Sequence, residues 1–179
     1  LLLTGWMDAA GKLERIRSCP SILIEGHRAV YVLVPAEDSG TGKPIVVSEL
    51  DIENIIRAKA AIYSACLTLL KQADMDFNDL ACIYIAGGFG RFLDIKDAVT
   101  IGLIPDLPEE KFRFIGNSSL TGSYMCLISE NHRKKQAEIA ARMTYIDLGS
   151  FPGYMDQYTG ALFLPHTDMD KFPSVRARL

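Results

Sequence analysis

The residues with the clearest potential for chemistry are the glycines of the segment 87–91 (GGFGR), which directly follows an apolar run. The run 80–86 (LACIYIA) is nearly continuous, as in a strand buried on both faces. Glycines at the carboxyl end of such a strand leave the backbone bare, so a planar ring or a phosphate can approach it closely. The spacing also fits a tight turn that needs positive φ, and on spacing alone both interpretations stay open. It is not the dinucleotide-binding fingerprint, because Leu93 stands where that pattern has its third glycine.

A second glycine segment, 38–43 (DSGTGK), matches half of the sequence pattern of a phosphate-binding loop. Pro44 stands where that loop needs Ser or Thr, Glu37 stands at the place of its first glycine, and a strand rather than a helix is expected next. An Asp-x-Gly hairpin can also hold phosphate through metal-bound water. An exposed hairpin turn is the favoured interpretation.

Three further features have both a structural and a ligand-binding interpretation. Lys59 falls among apolar positions of an expected helix, so it is either a lysine that extends its charge to solvent or a ligand contact. Arg91 would ordinarily be a solvated surface residue. The segment 116–119 (GNSS), at a strand end and a helix start, could bind an anion or merely cap the helix.

The sequence contains no recognisable catalytic or metal-binding set. The histidines, His27, His132 and His166, are scattered in polar surroundings and form neither a Ser/His/Asp nor a Cys/His arrangement. Cysteines stand at Cys19, Cys66, Cys82 and Cys126, with no C-x-x-C pair. We therefore expect buried free thiols in a reducing compartment, no iron–sulfur cluster within these residues, no metal site and a cytoplasmic protein.

Composition excludes several classes of function. Apolar residues make up 49% of the 179 residues, enough for a core, and the net charge of −3 predicts no basic face for nucleic acid. No apolar run approaches the ~20 residues of a membrane span, so we expect no membrane partner. The chain opens on Leu1 without a methionine or a signal peptide, and we expect it to be a segment of a longer protein.

The elements that would position the glycines alternate between strands and helices from residue 45 onward, which predicts a layered α/β domain. A capping box of Ser48 and Asp51 opens a long helix, and Asp94 caps a later one that ends at Gly102. The expected strands are 21–24, 29–34, 45–47, 80–86, 112–115 and 144–148, and the expected helices include 52–73, one after 119, a charged one to 142, and 154–164. We expect a single domain over 1–179 with a loose tail at 166–179.

The glycine segment resembles the adenosine motif of the actin-like ATPase superfamily, which includes acetate kinase, sugar kinases and heat-shock chaperones. The triplet 57–59 (RAK) on the preceding helix is similar to the adenine-contacting helix of heat-shock-type chaperones. In those proteins a lysine of this helix and an arginine just after the glycines hold the nucleoside from two sides. Lys59 and Arg91 match those positions. The cofactor-binding residues that the resemblance implies are Lys59, Gly87, Gly88, Phe89, Gly90, Arg91 and Asn117.

Most of the chain is also similar to the carboxyl-terminal domain of reductive activators of corrinoid proteins. The segments that carry this resemblance, in order and spacing, are 51–65, 83–94, 101–106, 114–117 and 161–165. The resemblance implies a lobe of an actin-like, ribonuclease H-like ATPase domain, with a mixed sheet flanked by helices. It implies ATP with magnesium as cofactor, and an iron–sulfur cluster in a ferredoxin-like domain ahead of this chain.

Such activators use ATP to drive electron transfer to a cobalt(II) corrinoid and regenerate cobalt(I) for methyl transfer. The implied partners are a corrinoid protein or corrinoid methyltransferase and a low-potential electron donor. The chain lacks the lobe that would supply most phosphate and magnesium ligands. Catalytic residues therefore cannot be named, and ATPase activity is expected only in the full-length protein. A small-molecule kinase of the same superfamily, or a docking module that has lost the nucleotide, are the alternatives.

Overall fold

The computed structural model of the chain describes residues 1–15, 19–88 and 90–179. Its strands are β1 (Ile22–Glu25), β2 (Arg28–Val34), β3 (Ile45–Ser48), β4 (Ile83–Ala86) and β5 (Phe112–Gly116). Its helices are α1 (Glu49–Gln72), α2 (Ile95–Thr100), α3 (Ser118–Ile128), α4 (Glu130–Arg142), α5 (Tyr154–Gly160) and α6 (Pro173–Arg176). Strands and helices alternate between β3 and α3, as the α/β prediction requires.

The described strands form two sheets, one antiparallel and one parallel. β1, β2 and β3 pair in that order as antiparallel neighbours, and β4 pairs with β5 in parallel. The connection from β2 to β3 is an exposed turn at the DSGTGK segment, closed by a 3.0 Å hydrogen bond from the Gly42 amide to the Ser39 carbonyl. The hairpin interpretation of that segment is thus confirmed.

Helix α1 begins with the capping box that the sequence predicts. The Asp51 amide donates to the Ser48 hydroxyl at 3.2 Å, and the Ser48 amide donates to the Asp51 carboxylate at 2.9 Å. These bonds satisfy two amide groups that a helix start otherwise leaves without partners. The helix therefore starts at Glu49, directly after the predicted cap Ser48 and three residues before the apolar periodicity begins at Ile52.

Residues on one side of α1 belong to both core clusters, and each cluster packs against one of the two sheets. The buried residues of the first cluster include Ala60, Tyr63 and Leu67 of α1, with Phe112 of β5. The second cluster joins Ile52 and Ile56 of α1 to the three-stranded sheet, and Leu162 packs against both clusters. The helix therefore fixes β4 and β5, whose carboxyl ends carry the glycine segments.

The prediction of a strand over 80–86 that is buried on both faces is wrong. β4 spans only Ile83–Ala86, and alternate side chains of a strand point to opposite faces. Ile83 and Ile85 pack against the first core cluster, whereas Tyr84 is 63% exposed. The helix α1 covers one face only, so the continuous apolar run does not indicate two covered faces.

The predicted strand at 144–148 is also absent. Residues 143–147 have no regular structure, and a 3₁₀ turn follows at Leu148–Ser150. Tyr145 in this segment is 88% exposed. A strand needs a neighbour for its amides and carbonyls, and within the described ranges none pairs with this segment. The last long helix is shorter than predicted, since α5 ends at Gly160.

The segment 166–179, predicted to be a loose tail, is packed. Phe172 and Val175 are fully buried in the first core cluster. The Ser174 amide and hydroxyl each donate to the Asp106 carboxylate at 2.7 Å. Two apolar residues three positions apart on a helical turn suffice to anchor a stretch whose composition is otherwise polar.

The four cysteines are free thiols, as predicted, but they are not buried. Cys66 is exposed and the other three are half-buried. Within the described part of the chain, no helix is long and apolar enough to cross a membrane.

Candidate functional site

Two glycine turns meet at one edge of the parallel sheet. β4 and β5 run in the same direction, so their carboxyl ends lie side by side, with Ala86 opposite Gly116. The Gly87 amide donates to the Gly116 carbonyl at 2.8 Å and joins the two turns. The segments 87–91 and 116–119, which are far apart in the sequence, therefore start side by side at this edge.

The backbone of these turns faces open space. Gly87 and Gly116 have φ values of 98° and 65°, a conformation that disfavours other residues. A Cβ atom built on Gly87, Gly88 or Gly116 would have no other heavy atom within 4 Å. Positive φ explains why residues 87 and 116 are glycines, but it does not explain Gly88, which lacks it. Open space above bare backbone is what a planar ligand requires.

Gly90 has a different role from the glycines before it. A Cβ atom at this position would lie 2.7 Å from Cγ2 of Ile85, so packing against β4 requires glycine here. A 3₁₀ turn, Gly90–Phe92, follows and is closed by a 3.2 Å bond from the Leu93 amide to the Gly90 carbonyl. Asp94 then caps α2 through a 2.9 Å bond from the Asp97 amide.

Two of the predicted site residues cannot be compared with the structure. Phe89 lies outside the described residues, and so does the side chain of Arg91, whose backbone belongs to the turn Gly90–Phe92. Their roles in nucleotide binding stay predictions.

Asn117 occupies the start of α3, immediately after the joined turns. Its side-chain oxygen accepts a 3.1 Å hydrogen bond from the Leu120 amide, so it caps the helix. The positive end of the helix dipole therefore lies at the sheet edge formed by Gly87, Gly88 and Gly116, which we call the glycine edge. Ser118 and Ser119 also line a cleft of about 680 Å³ between α3 and α4, opposite Lys135 and Gln136. An anion contact of Asn117 stays a prediction, since its oxygen already serves the cap.

Lys59 lies in the interior and does not extend its charge to solvent. It is 1% exposed, and its ammonium donates to the carbonyls of Phe163 at 2.5 Å and Pro165 at 2.6 Å. Burial lowers the pKa of Lys59 to about 7. These two partners belong to the C-terminal segment rather than to the glycine turns. A nucleotide contact by Lys59 stays a prediction, and it would require one of these bonds to be exchanged.

His166 is buried beside Lys59, so the prediction that it lies in polar surroundings is wrong. Its Nδ1 accepts a 2.9 Å bond from the Asp168 amide, while Nε2 is buried without a partner in the described part of the chain. The ring packs between Tyr63 and Phe172, with centroid distances of 5.7 and 6.3 Å. Its position directly after an apolar run that ends in proline is the signal that could have indicated burial.

The pKa of His166 is lowered to about 4, first by burial and then by the cations of Lys171 and Lys59, against the opposing charge of Asp168. Since this value lies below the ordinary 6.5, the unfolded chain binds more protons between pH 4 and 6.5, and stability rises with pH there.

We expect the free energy of unfolding to fall by about 2–3 kcal/mol as the pH drops from 6.5 to 4, because the buried ring must become charged. His166→Asn keeps an acceptor for the Asp168 amide but does not titrate. Denaturant unfolding at several pH values should therefore give a flatter profile for this variant. Equal slopes for the two proteins would show that His166 does not control acid stability.

The glycine edge offers binding rather than proton transfer. It combines bare backbone, a joined pair of turns and a helix start, and these features favour a planar group that carries an anion. Ile83 and Ile85 of β4 pack against the core cluster that contains Phe112, at the start of β5, and these apolar contacts fix the strands.

Comparisons with known proteins identify the family of the chain. The family model described as "C-terminal domain of RACo the ASKHA domain" matches residues 1–176. The corrinoid activation enzyme RamQ of Eubacterium limosum is 32% identical over 134 residues, which are 75% of this chain and 23% of RamQ. The [Co(II) methylated amine-specific corrinoid protein] reductase of Methanosarcina barkeri is 29% identical over 103 residues, or 58% of this chain and 19% of the reductase.

Among solved structures, a reductive activator for corrinoid, iron-sulfur protein superposes with a TM-score of 0.88 at 43% sequence identity. The superposition covers 96% of this chain and 27% of that protein. The chain thus spans about a quarter of the length of the relatives that it matches.

Proposed function

Because the chain belongs to the family of the C-terminal ASKHA domain of RACo, we propose that it is the ATP-binding part of a reductive activator that returns cobalt(II) corrinoid proteins to cobalt(I) for methyl transfer. Membership in this family confirms the actin-like fold class that the glycine segment predicts. The observation that carries the proposal is the joined pair of glycine turns at the carboxyl ends of β4 and β5. This edge is where ligands bind in open α/β sheets.

The residues of the edge fit a nucleoside. In the proposed arrangement the base lies on the backbone of Gly87 and Gly88, whose Cβ positions are open, and the start of α3 faces the phosphates. Phe89 and Arg91 contribute from the segment between β4 and α2. Gly90 packs closely against Ile85, and its backbone borders the nucleoside in the same arrangement.

ATP, bound with magnesium, would supply the free energy that drives the reduction of a cobalt(II) corrinoid by a low-potential electron donor. The part of this chain is to hold the nucleoside, since the segments 87–91 (GGFGR) and 116–119 (GNSS) offer backbone groups and a helix start but contain no Asp or Glu. Ligands for magnesium and the terminal phosphates would come from the facing lobe. Nucleotide-dependent closure of the two lobes then changes the affinity for the corrinoid partner.

We assign the same set of partners as the resemblance implies: a corrinoid protein or corrinoid methyltransferase, and a low-potential electron donor. The names of the relatives describe activation or reduction of corrinoid proteins, which supports this choice. An iron–sulfur cluster would reside in another part of the full-length protein. The free state of all four thiols supports a reducing compartment, and we propose the cytoplasm.

The decisive experiment follows cobalt(I) formation by absorbance under anaerobic conditions. The full-length protein, its corrinoid partner in the cobalt(II) state and a low-potential reductant are mixed with or without ATP and magnesium. We expect cobalt(I) to accumulate with ATP and to remain a minor species without it, because ATP offsets an unfavourable electron transfer. Equal accumulation with and without ATP would contradict the proposal.

A further inference from the structure

We draw no further inference here: the strongest candidate, the cleft of about 680 Å³ between α3 and α4 with the exposed apolar side chains around it, carries none, because nothing in the structure shows what covers this face and the chain spans only about a quarter of the length of its relatives.

Discussion

Replacing Lys59 by methionine is expected to lower the free energy of unfolding by about 3–4 kcal/mol. The substitution keeps the length of the side chain but removes the ammonium that joins the carbonyls of Phe163 and Pro165 at 2.5 and 2.6 Å. A buried carbonyl left without a donor costs about 1–3 kcal/mol. Two carbonyls lose their partner here, and the relief of no longer burying an amine offsets only part of the loss.

The same contact gives Lys59 a distinctive pH dependence. Its pKa in the folded protein, about 7, lies below the ordinary 10.5, and the cause is burial. Between these values the unfolded chain binds more protons, so the stability of the natural protein should rise with pH from about 7 to 10.5. The methionine variant lacks this rise, and the difference in stability between the two should therefore grow in that range.

Denaturant unfolding at pH 7 and 9 measures these differences in the free energy of unfolding between the natural protein, Lys59→Met and a control variant. The control is Lys71→Met, an exposed lysine of the same helix, which should change stability by less than about 1 kcal/mol. If Lys59→Met is as stable as the control at both pH values, the two carbonyls do not depend on the ammonium. The C-terminal segment would then be held by its other contacts, which include the buried side chains of Phe172 and Val175 and the bonds from Ser174 to Asp106.

Local signals predicted the elements around the site well. The capping box at Ser48 and the cap at Asp94 are both formed, because each involves residues only three positions apart. The short strands before α1 and the strand β5 were found from β-branched and aromatic runs. Such features depend on neighbours in sequence, which is why a single sequence reveals them.

Interactions between distant residues could not be predicted. The carbonyl partners of Lys59 are 104 and 106 residues away, so nothing near Lys59 indicates that its charge is buried. The same packing hides His166 and orders the tail that looked loose from its composition. At 144–148 the local sequence predicted a strand that does not form. Its composition is strand-like, but no strand in the described residues lies beside it to pair with.

The candidate site was predicted in its parts but not as a whole. Both glycine segments were identified from their positions after apolar runs. Their union depends on the parallel pairing of β4 with β5 and on the bond from Gly87 to Gly116, which only the fold provides. Among the described residues, packing against Ile85 requires glycine at position 90, whereas neither a close contact nor a positive φ requires glycine at position 88.

Gly88→Val is expected to weaken binding of ATP and ADP by roughly 100-fold while leaving the fold intact. A Cβ atom at Gly88 meets nothing within 4 Å, and its φ is not positive, so valine is compatible with the backbone. The isopropyl group would occupy the space where the base lies on the backbone. We expect the melting temperature to stay close to that of the natural protein.

Gly40→Val provides the matched control. Gly40 also has open space around its Cβ position and no positive φ, but it lies in the turn between β2 and β3. The surrounding DSGTGK segment is the other place where glycines and a lysine suggested phosphate binding. The two variants therefore compare two glycine segments with the same steric change.

Calorimetric titration of ATP and ADP into the full-length natural protein, Gly88→Val and Gly40→Val tests most directly whether the joined glycine turns hold the nucleotide. We predict tight binding to the natural protein and to Gly40→Val, and roughly 100-fold weaker binding of both nucleotides to a folded Gly88→Val. Unchanged affinity of Gly88→Val, or a loss confined to Gly40→Val, would contradict the assignment of the nucleotide to the edge formed by Gly87, Gly88 and Gly116.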